Sequence, residues 1–363
     1  MIPLRRGKVF LSAPAPVDGL VLEILFNAPA SGATVSIPEV KHNKSKWVCF
    51  EMDDASKTLY SVWNSKLKNT YYTDGCGNNI PFGCGVAVNG RDQGDNSEIG
   101  TNSNALTYAE RLEMLPFGLD VMNHSFYHDP FGNYNNGDNA ELNTSMLDDM
   151  IFEKMGYKMS CLVVPTNYDG YMTAAAALGY IGGSSTGTFD SFQPYPEWTT
   201  QGYINDIASA AYSAIRRDFT DNWTNAGPQW ALNNKLFDDG FSFYAIGTHG
   251  VYAGADEANF NAWIDDLVSR GGDNLLFTSL REMLEYRYLR GKIALSPSTD
   301  GNKLNVAIDS AAVDNNRISW QDLSFVVSGS QTIVSATCTD PSYSISFNPI
   351  TRLINIKKRK STW

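Results

Sequence analysis

The chain has 363 residues, 43% of them hydrophobic and 18% charged, with a formal net charge of -11. That apolar content supports a large buried core and excludes disordered and fibrous classes, while the acidic balance argues against nucleic acid or an anionic membrane surface as a general partner. No run has the length and apolarity of a transmembrane helix, and the start, Met1-Ile2-Pro3-Leu4-Arg5-Arg6, leads into a proline-interrupted segment without a signal core. Aromatic residues are frequent in segments rich in Asn, Gly and Asp, a composition common among extracytoplasmic proteins that handle carbohydrate. The expected setting is therefore periplasmic, surface or secreted.

Short apolar runs at 9–11 and 20–26, separated by Pro and Gly, predict β-strands in an N-terminal segment covering 1–45. From residue 46 the pattern becomes strand, loop, helix. Strands are predicted at 47–50, 119–122, 159–164, 178–181, 241–246 and 274–277. Helical periodicity joins Leu59, Val62, Trp63 and Leu67, and runs through 105–115, 142–155, 171–178, 204–215, 260–268 and 279–289. This alternation predicts a largely parallel sheet or barrel over 46–292, whose chemistry collects on the loops that follow the strands. Beyond 293, alternating runs at 303–308, 322–327, 331–337, 342–347 and 352–356 predict a small C-terminal β-sandwich over 293–363. The basic run Lys357-Lys358-Arg359-Lys360 reads as a solvated terminus.

Five cysteines form no zinc-knuckle spacing. Cys49 and Cys161 fall inside apolar runs as buried thiols. Cys76 and Cys84 flank a glycine-rich loop where a disulfide would close, which would require an oxidising compartment.

The four histidines are the more informative residues. In His124-Ser125-Phe126-Tyr127-His128, three intervening residues bring two imidazoles to one face of a helical turn, where they can share a metal. Upstream, the apolar run Trp47-Val48-Cys49-Phe50 ends in Glu51-Met52-Asp53-Asp54, placing adjacent carboxylates at a strand exit. His249 closes another apolar run, and Pro165 follows a fourth. Asp54 has a plain alternative use as the cap of a helix beginning near Ser56.

The order of these motifs resembles that of the polysaccharide deacetylases, carbohydrate esterase family 4, which includes chitooligosaccharide, chitin, peptidoglycan and acetylxylan deacetylases. The resemblance spans residues 46 to 290. Phe50-Glu51-Met52-Asp53-Asp54-Ala55 matches a strand ending in Thr-Phe-Asp-Asp-Gly, His124 to His128 matches His-Ser/Thr-x-x-His, and Ile246-Gly247-Thr248-His249 loosely matches Leu-x-His. It implies a distorted (β/α) barrel, with Asp53 as general base, Asp54, His124 and His128 as metal ligands and His249 as general acid. Pro165 and Tyr168 are expected to line the acetyl pocket. The implied cofactor is a divalent ion, zinc first, with cobalt or nickel as alternatives. The implied reaction is hydrolysis of acetyl groups from an N- or O-acetylated glycan.

Two departures bear on activity. Val163 stands where the family places an arginine that orients the aspartate, and Gly182-Gly183-Ser184-Ser185-Thr186-Gly187 lacks the acid that backs the catalytic histidine. Asp190 is the nearest substitute in sequence. A member of the same fold that binds metal or glycan without turnover is therefore the first rival. A non-haem iron site is disfavoured because the close pair here is two histidines rather than a histidine and a carboxylate. A glycosidase would leave the histidine arrangement without a role.

Overall fold

A computed structural model describes residues 19–92, 94–128, 140–167, 170–185, 204–206 and 213–363. The predicted strand at 9–11, Tyr168 and Asp190 lie outside the described residues. The described chain opens with β1 (Leu20–Phe26) and β2 (Thr34–Ser36). There follow β3 (Lys46–Met52), helix α1 (Thr58–Ser65), a small hairpin of β4 (Tyr71–Thr73) and β5 (Asn79–Pro81), and β6 (Cys84–Val88). Helix α2 (Tyr108–Met114) leads to β7 (Leu119–Asn123), α3 (Ala140–Met155) to β8 (Cys161–Val163), and α4 (Gly170–Ala177) to β9 (Gly182–Ser185). Then come β10 (Ile204–Asp206), β11 (Ser213–Arg216), β12 (Asp218–Phe219), α5 (Pro228–Phe237), β13 (Phe243–Thr248), α6 (Ala255–Gly271), β14 (Leu275–Thr278) and α7 (Leu280–Lys292).

Ten of these strands form one sheet, parallel throughout except where β10 meets β11. β11 pairs with β9, while β12, separated from β11 by Arg217 alone, pairs with β13. One continuous stretch thus joins the two edges of the sheet, and the fold is a distorted (β/α) barrel. Its first strand, β3, is buried on both faces, as a parallel strand covered by helices must be. Phe50 packs outward among Trp223, Phe260, Trp263 and Phe277, with ring centroids 5.3–6.3 Å away. Side chains alternate along a strand, so Glu51 and Asp53 point the other way, into the barrel.

Local chemistry explains several boundaries. Thr107 and Glu110 form a reciprocal capping box at the start of α2, and Ser279 accepts the Glu282 amide at the start of α7. Gly118, at φ 92°, makes the left-handed turn into β7. Where the helix 204–215 was expected, the chain forms the β10 and β11 pair. Its Ala- and Ser-rich composition suits neither period strongly, and pairing with β9 decides the outcome. The strand expected at 178–181 lies four residues later, because glycine and serine in β9 carry no apolar signal.

After the barrel come β15 (Ala294–Asp300), β16 (Lys303–Asp309), β17 (Leu323–Ser328), β18 (Ile333–Cys338), β19 (Ser344–Asn348) and β20 (Leu353–Lys357). They form two four-stranded antiparallel sheets, ordered β15-β16-β1-β18 and β19-β20-β17-β2. β1 lies between β16 and β18, so strands that precede residue 45 are structural members of the sheets that follow residue 293.

Two further expectations are corrected. Cys76 and Cys84 form no disulfide, and the described cysteines are all free. The β4 and β5 hairpin separates the pair: Cys76 meets Asn355 Nδ2 at 3.3 Å beside β20, whereas Cys84 enters the barrel as the first residue of β6. The basic run at the C-terminus is held, not solvated, with Lys357 bound to Asp74 at 2.6 Å and Arg359 to Asp120 at 3.0 Å. Among the described residues no helix is long and apolar enough to cross a membrane.

Candidate metal centre and active site

β3 ends at Met52, and the chain turns sharply there. Asp54 and Ala55 both take left-handed backbone angles, φ 57° and 49°, at a cost of roughly 1 kcal/mol each. Hydrogen bonds fix the turn, from Asp53 N to Thr248 O at 2.9 Å, Ala55 N to Ala87 O at 3.0 Å and Leu106 N to Ala55 O at 2.7 Å. The turn sends the two adjacent carboxylates to different partners. Asp54 does not cap α1, whose N-cap is Lys57 without a side-chain cap.

Asp54 Oδ1 lies 3.6 Å from His124 Nε2 and 3.7 Å from His128 Nε2, and Oδ2 lies 3.7 Å from His249 Nε2. These separations exceed hydrogen-bond length. Oδ1 is buried and has no hydrogen-bond partner. One ligand atom from each of Asp54, His124 and His128 lies within 4.8 Å of the other two, and a carboxylate with two imidazoles is a donor set that suits a divalent cation.

The histidine pair is carried by a loop instead of the helical turn expected from its spacing. Ser125 has φ 67°, which no right-handed helix admits, and its amide donates to Asn123 Oδ1 at 2.8 Å. Phe126 O accepts from Gly90 N and Arg91 N, clamping the loop to the exit of β6. Gly90 is required there: an added Cβ would lie 2.5 Å from the Phe126 ring. His124 Nδ1 donates to Val163 O at 2.8 Å, which fixes the tautomer and leaves Nε2 with its lone pair. Burial pushes His128 down to about 4, so its imidazole is neutral, the form a metal ligand needs.

Asp53 meets the guanidinium of Arg217, which donates Nη1 to Oδ1 at 2.8 Å and Nη2 to Oδ2. Burial alone would push this carboxyl up; the Arg217 guanidinium outweighs it and holds it below the usual carboxylate range. Arg217 also donates to Glu51 Oε2 at 3.0 Å, and Ser184 Oγ to the same oxygen at 3.2 Å. Burial, with the charge of Asp53, pushes Glu51 up to about 7 against the pull of Arg217.

His249 follows β13 with its side chain half exposed. Its amide donates to Asp221 Oδ1 at 2.9 Å and its Nδ1 lies 2.9 Å from Asp221 Oδ2. Phe219 stacks edge-on against the ring at 4.7 Å.

The structure therefore brings Asp53, Asp54, His124, His128 and His249 to one end of the barrel. Pro165 is buried at the exit of β8, two residues after the carbonyl that holds His124. Both expected gaps are filled from a segment that sequence reasoning passed over. Arg217 brings a guanidinium to Asp53, the contact expected of an arginine at the position of Val163, and Asp221 meets His249, while Asp190 lies outside the described residues. Arg217, Phe219 and Asp221 alternate, the period-2 signal of a strand, and that spacing was the available clue. Gly247 belongs to the same adaptation, since a Cβ there would lie 2.6 Å from Arg217 Nη1.

No family model matches the chain, and no curated protein does. Among solved structures, a Mycobacterium smegmatis protein provisionally assigned as a polysaccharide deacetylase is similar at 11% identity, covering 72% of this chain and 94% of that one, with TM-score 0.44. A family 4 carbohydrate esterase from Bacillus anthracis is similar at 15% identity, covering 69% and 86%, with TM-score 0.39. A family 4 pseudoenzyme from Bacillus anthracis is similar at 11% identity, covering 67% and 66%, with TM-score 0.38. The resemblance is distant in every case, and what this site does is decided by its own residues.

Proposed function

We propose that this protein is a metal-dependent deacetylase that hydrolyses acetyl groups from an acetylated glycan. The observation that carries the reading is Asp54 Oδ1, buried and without a hydrogen bond, within 3.7 Å of two imidazole Nε2 atoms. Asp54, His124 and His128 would hold a divalent ion, zinc first, with cobalt or nickel as alternatives. When bound, such an ion supplies Lewis-acid polarisation of the acetyl carbonyl and lowers the pKa of water.

The remaining steps belong to the chain. Asp53 takes the proton of the attacking water, and Arg217 keeps it ionised and turned away from the position that Asp54 occupies. His249, anchored through Nδ1 by Asp221, presents Nε2 to the departing sugar nitrogen or oxygen and gives it a proton as the acyl bond breaks. Acetate and a deacetylated sugar result. Pro165 and Tyr168 are assigned to the acetyl pocket. Tyr252, 58% exposed and three residues past His249, offers a face for a sugar ring. An extracytoplasmic setting belongs to this reading on composition alone, since the disulfide that favoured it is gone.

The rival, a member that binds without turnover, drew its support from Val163. Arg217, at the seam between β11 and β12, weighs against it by bringing a guanidinium to Asp53.

Acetate release from N- and O-acetylated glycans, measured after loading with zinc, cobalt or nickel, tests the proposal alongside His124→Ala and Asp53→Asn. We expect metal-dependent release, lost by about 10³-fold in both variants, with ion binding weakened only in His124→Ala. Tight ion binding with no release from any glycan would overturn the assignment in favour of the rival.

A further inference from the structure

Glu51 has no exposed surface and takes no part in the chemistry above. Its Oε2 accepts from Arg217 Nη1 and from Ser184 Oγ, while its Oε1 has no partner. The same Nη1 donates to Asp53 Oδ1, so one nitrogen is divided between two carboxylates. Arg217 Nε makes no hydrogen bond. The guanidinium is therefore located by its two Nη groups, and both reach carboxylates of the same chain segment, Glu51 at the end of β3 and Asp53 just beyond it.

Stability does not call for this group. A buried carboxylate with an unsatisfied oxygen costs free energy that an apolar side chain of similar size would not. Polar groups kept against such a cost gather where function needs them. Glu51 and Asp53 project from the same face two residues apart, and Glu51 is also tied across the barrel to β9 through Ser184. A guanidinium bound to Asp53 alone would swing with that carboxylate. Bound to Glu51 as well, it is fixed to the barrel wall, and Gly247 leaves the space it crosses.

We propose that Glu51 is a positioning residue: it holds Nη1 of Arg217 from deeper in the barrel and so sets the angle at which Asp53 faces the metal centre. The inference rests on the deacetylase reading.

The test compares Glu51→Gln with Glu51→Ala in the full chain loaded with zinc. The glutamine oxygen keeps both donors, and its NH2 replaces an oxygen that has no partner. With glutamine, kcat for acetate release should stay within about threefold, whereas alanine should lower kcat about 30- to 100-fold with KM and zinc affinity within about twofold. In protein carrying 15N-arginine, the Arg217 guanidinium signal, assigned through Arg217→Lys, should exchange slowly with solvent in the wild type and the glutamine variant and broaden in the alanine variant. An alanine variant with unchanged kcat and an unchanged Arg217 signal would overturn the proposal. Equal losses in both variants, with zinc affinity and melting temperature falling together, would also overturn it by marking a packing role. If the wild type releases no acetate, the deacetylase reading fails separately, and the Arg217 signal alone decides the role of Glu51.

Discussion

The two ends of the barrel treat their buried carboxylates differently. Near the strand starts, where α7 and the C-terminal sheets pack, the carboxylates are complete. Asp120 Oδ1 accepts from Tyr157 and Arg359 and its Oδ2 from Ser279 and Trp320; Glu285 Oε1 accepts from Ser160 and Arg281 and its Oε2 from two backbone amides. Lys41 is shared between Glu282 at 2.6 Å and Asp322 at 2.7 Å beneath the Trp320 ring. At the opposite end, Asp54 Oδ1 and Glu51 Oε1 have no partner. The first set joins the barrel to its neighbouring sheets; the second leaves carboxylate oxygens free for a ligand.

The largest effect comes from breaking the end where the carboxylates are satisfied. Lys41→Met leaves two buried carboxylates uncompensated and should cost about 3–5 kcal/mol in denaturant unfolding, with kcat of the remaining folded protein unchanged. Loss of turnover at unchanged stability would erase the distinction between the two ends.

Glu51→Gln sharpens it in the other direction. Folding raises the Glu51 pKa from its ordinary 4.5 to about 7. Below pH 4.5 both folded and unfolded chains hold this proton; between 4.5 and about 7 the unfolded chain releases it first, so wild-type stability falls as pH rises. Above that window the deficit levels at something on the order of 3 kcal/mol. The glutamine variant, which has nothing to ionise, should match the wild type near pH 4.5 and exceed it at pH 8 when both are unfolded free of metal. A constant difference across that range would show that Glu51 does not change ionisation on folding.

The smallest effect is expected from Asp221→Asn. Asp221 is half exposed, and asparagine retains the amide contact while losing the charge behind His249, so kcat should fall by about tenfold with ion affinity unchanged. A loss of ion affinity instead would place His249 among the metal ligands.

Much of this was legible in the sequence, for reasons particular residues make plain. Trp47 to Phe50 is apolar on both faces, so its strand and the polar exit at Asp53 and Asp54 stood out, and the spacing of His124 and His128 marked the pair as candidate ligands. What failed did so where local pattern was weak. β9 is glycine and serine, the helix expected at 204–215 became a strand pair, and the spacing of Cys76 and Cys84 said nothing about the hairpin that parts them.

Sequence alone determined the alternation of strands and helices, the apolar core and the residue types able to hold a cation, because burial and periodicity are written locally. Tertiary structure decided who meets whom. It carried Arg217 from a seam between strands to Asp53, Asp221 to His249, and β1 from the N-terminal segment into a sheet completed some three hundred residues later. Those pairings depend on how the barrel closes, a property of register and packing that no short stretch of chain encodes.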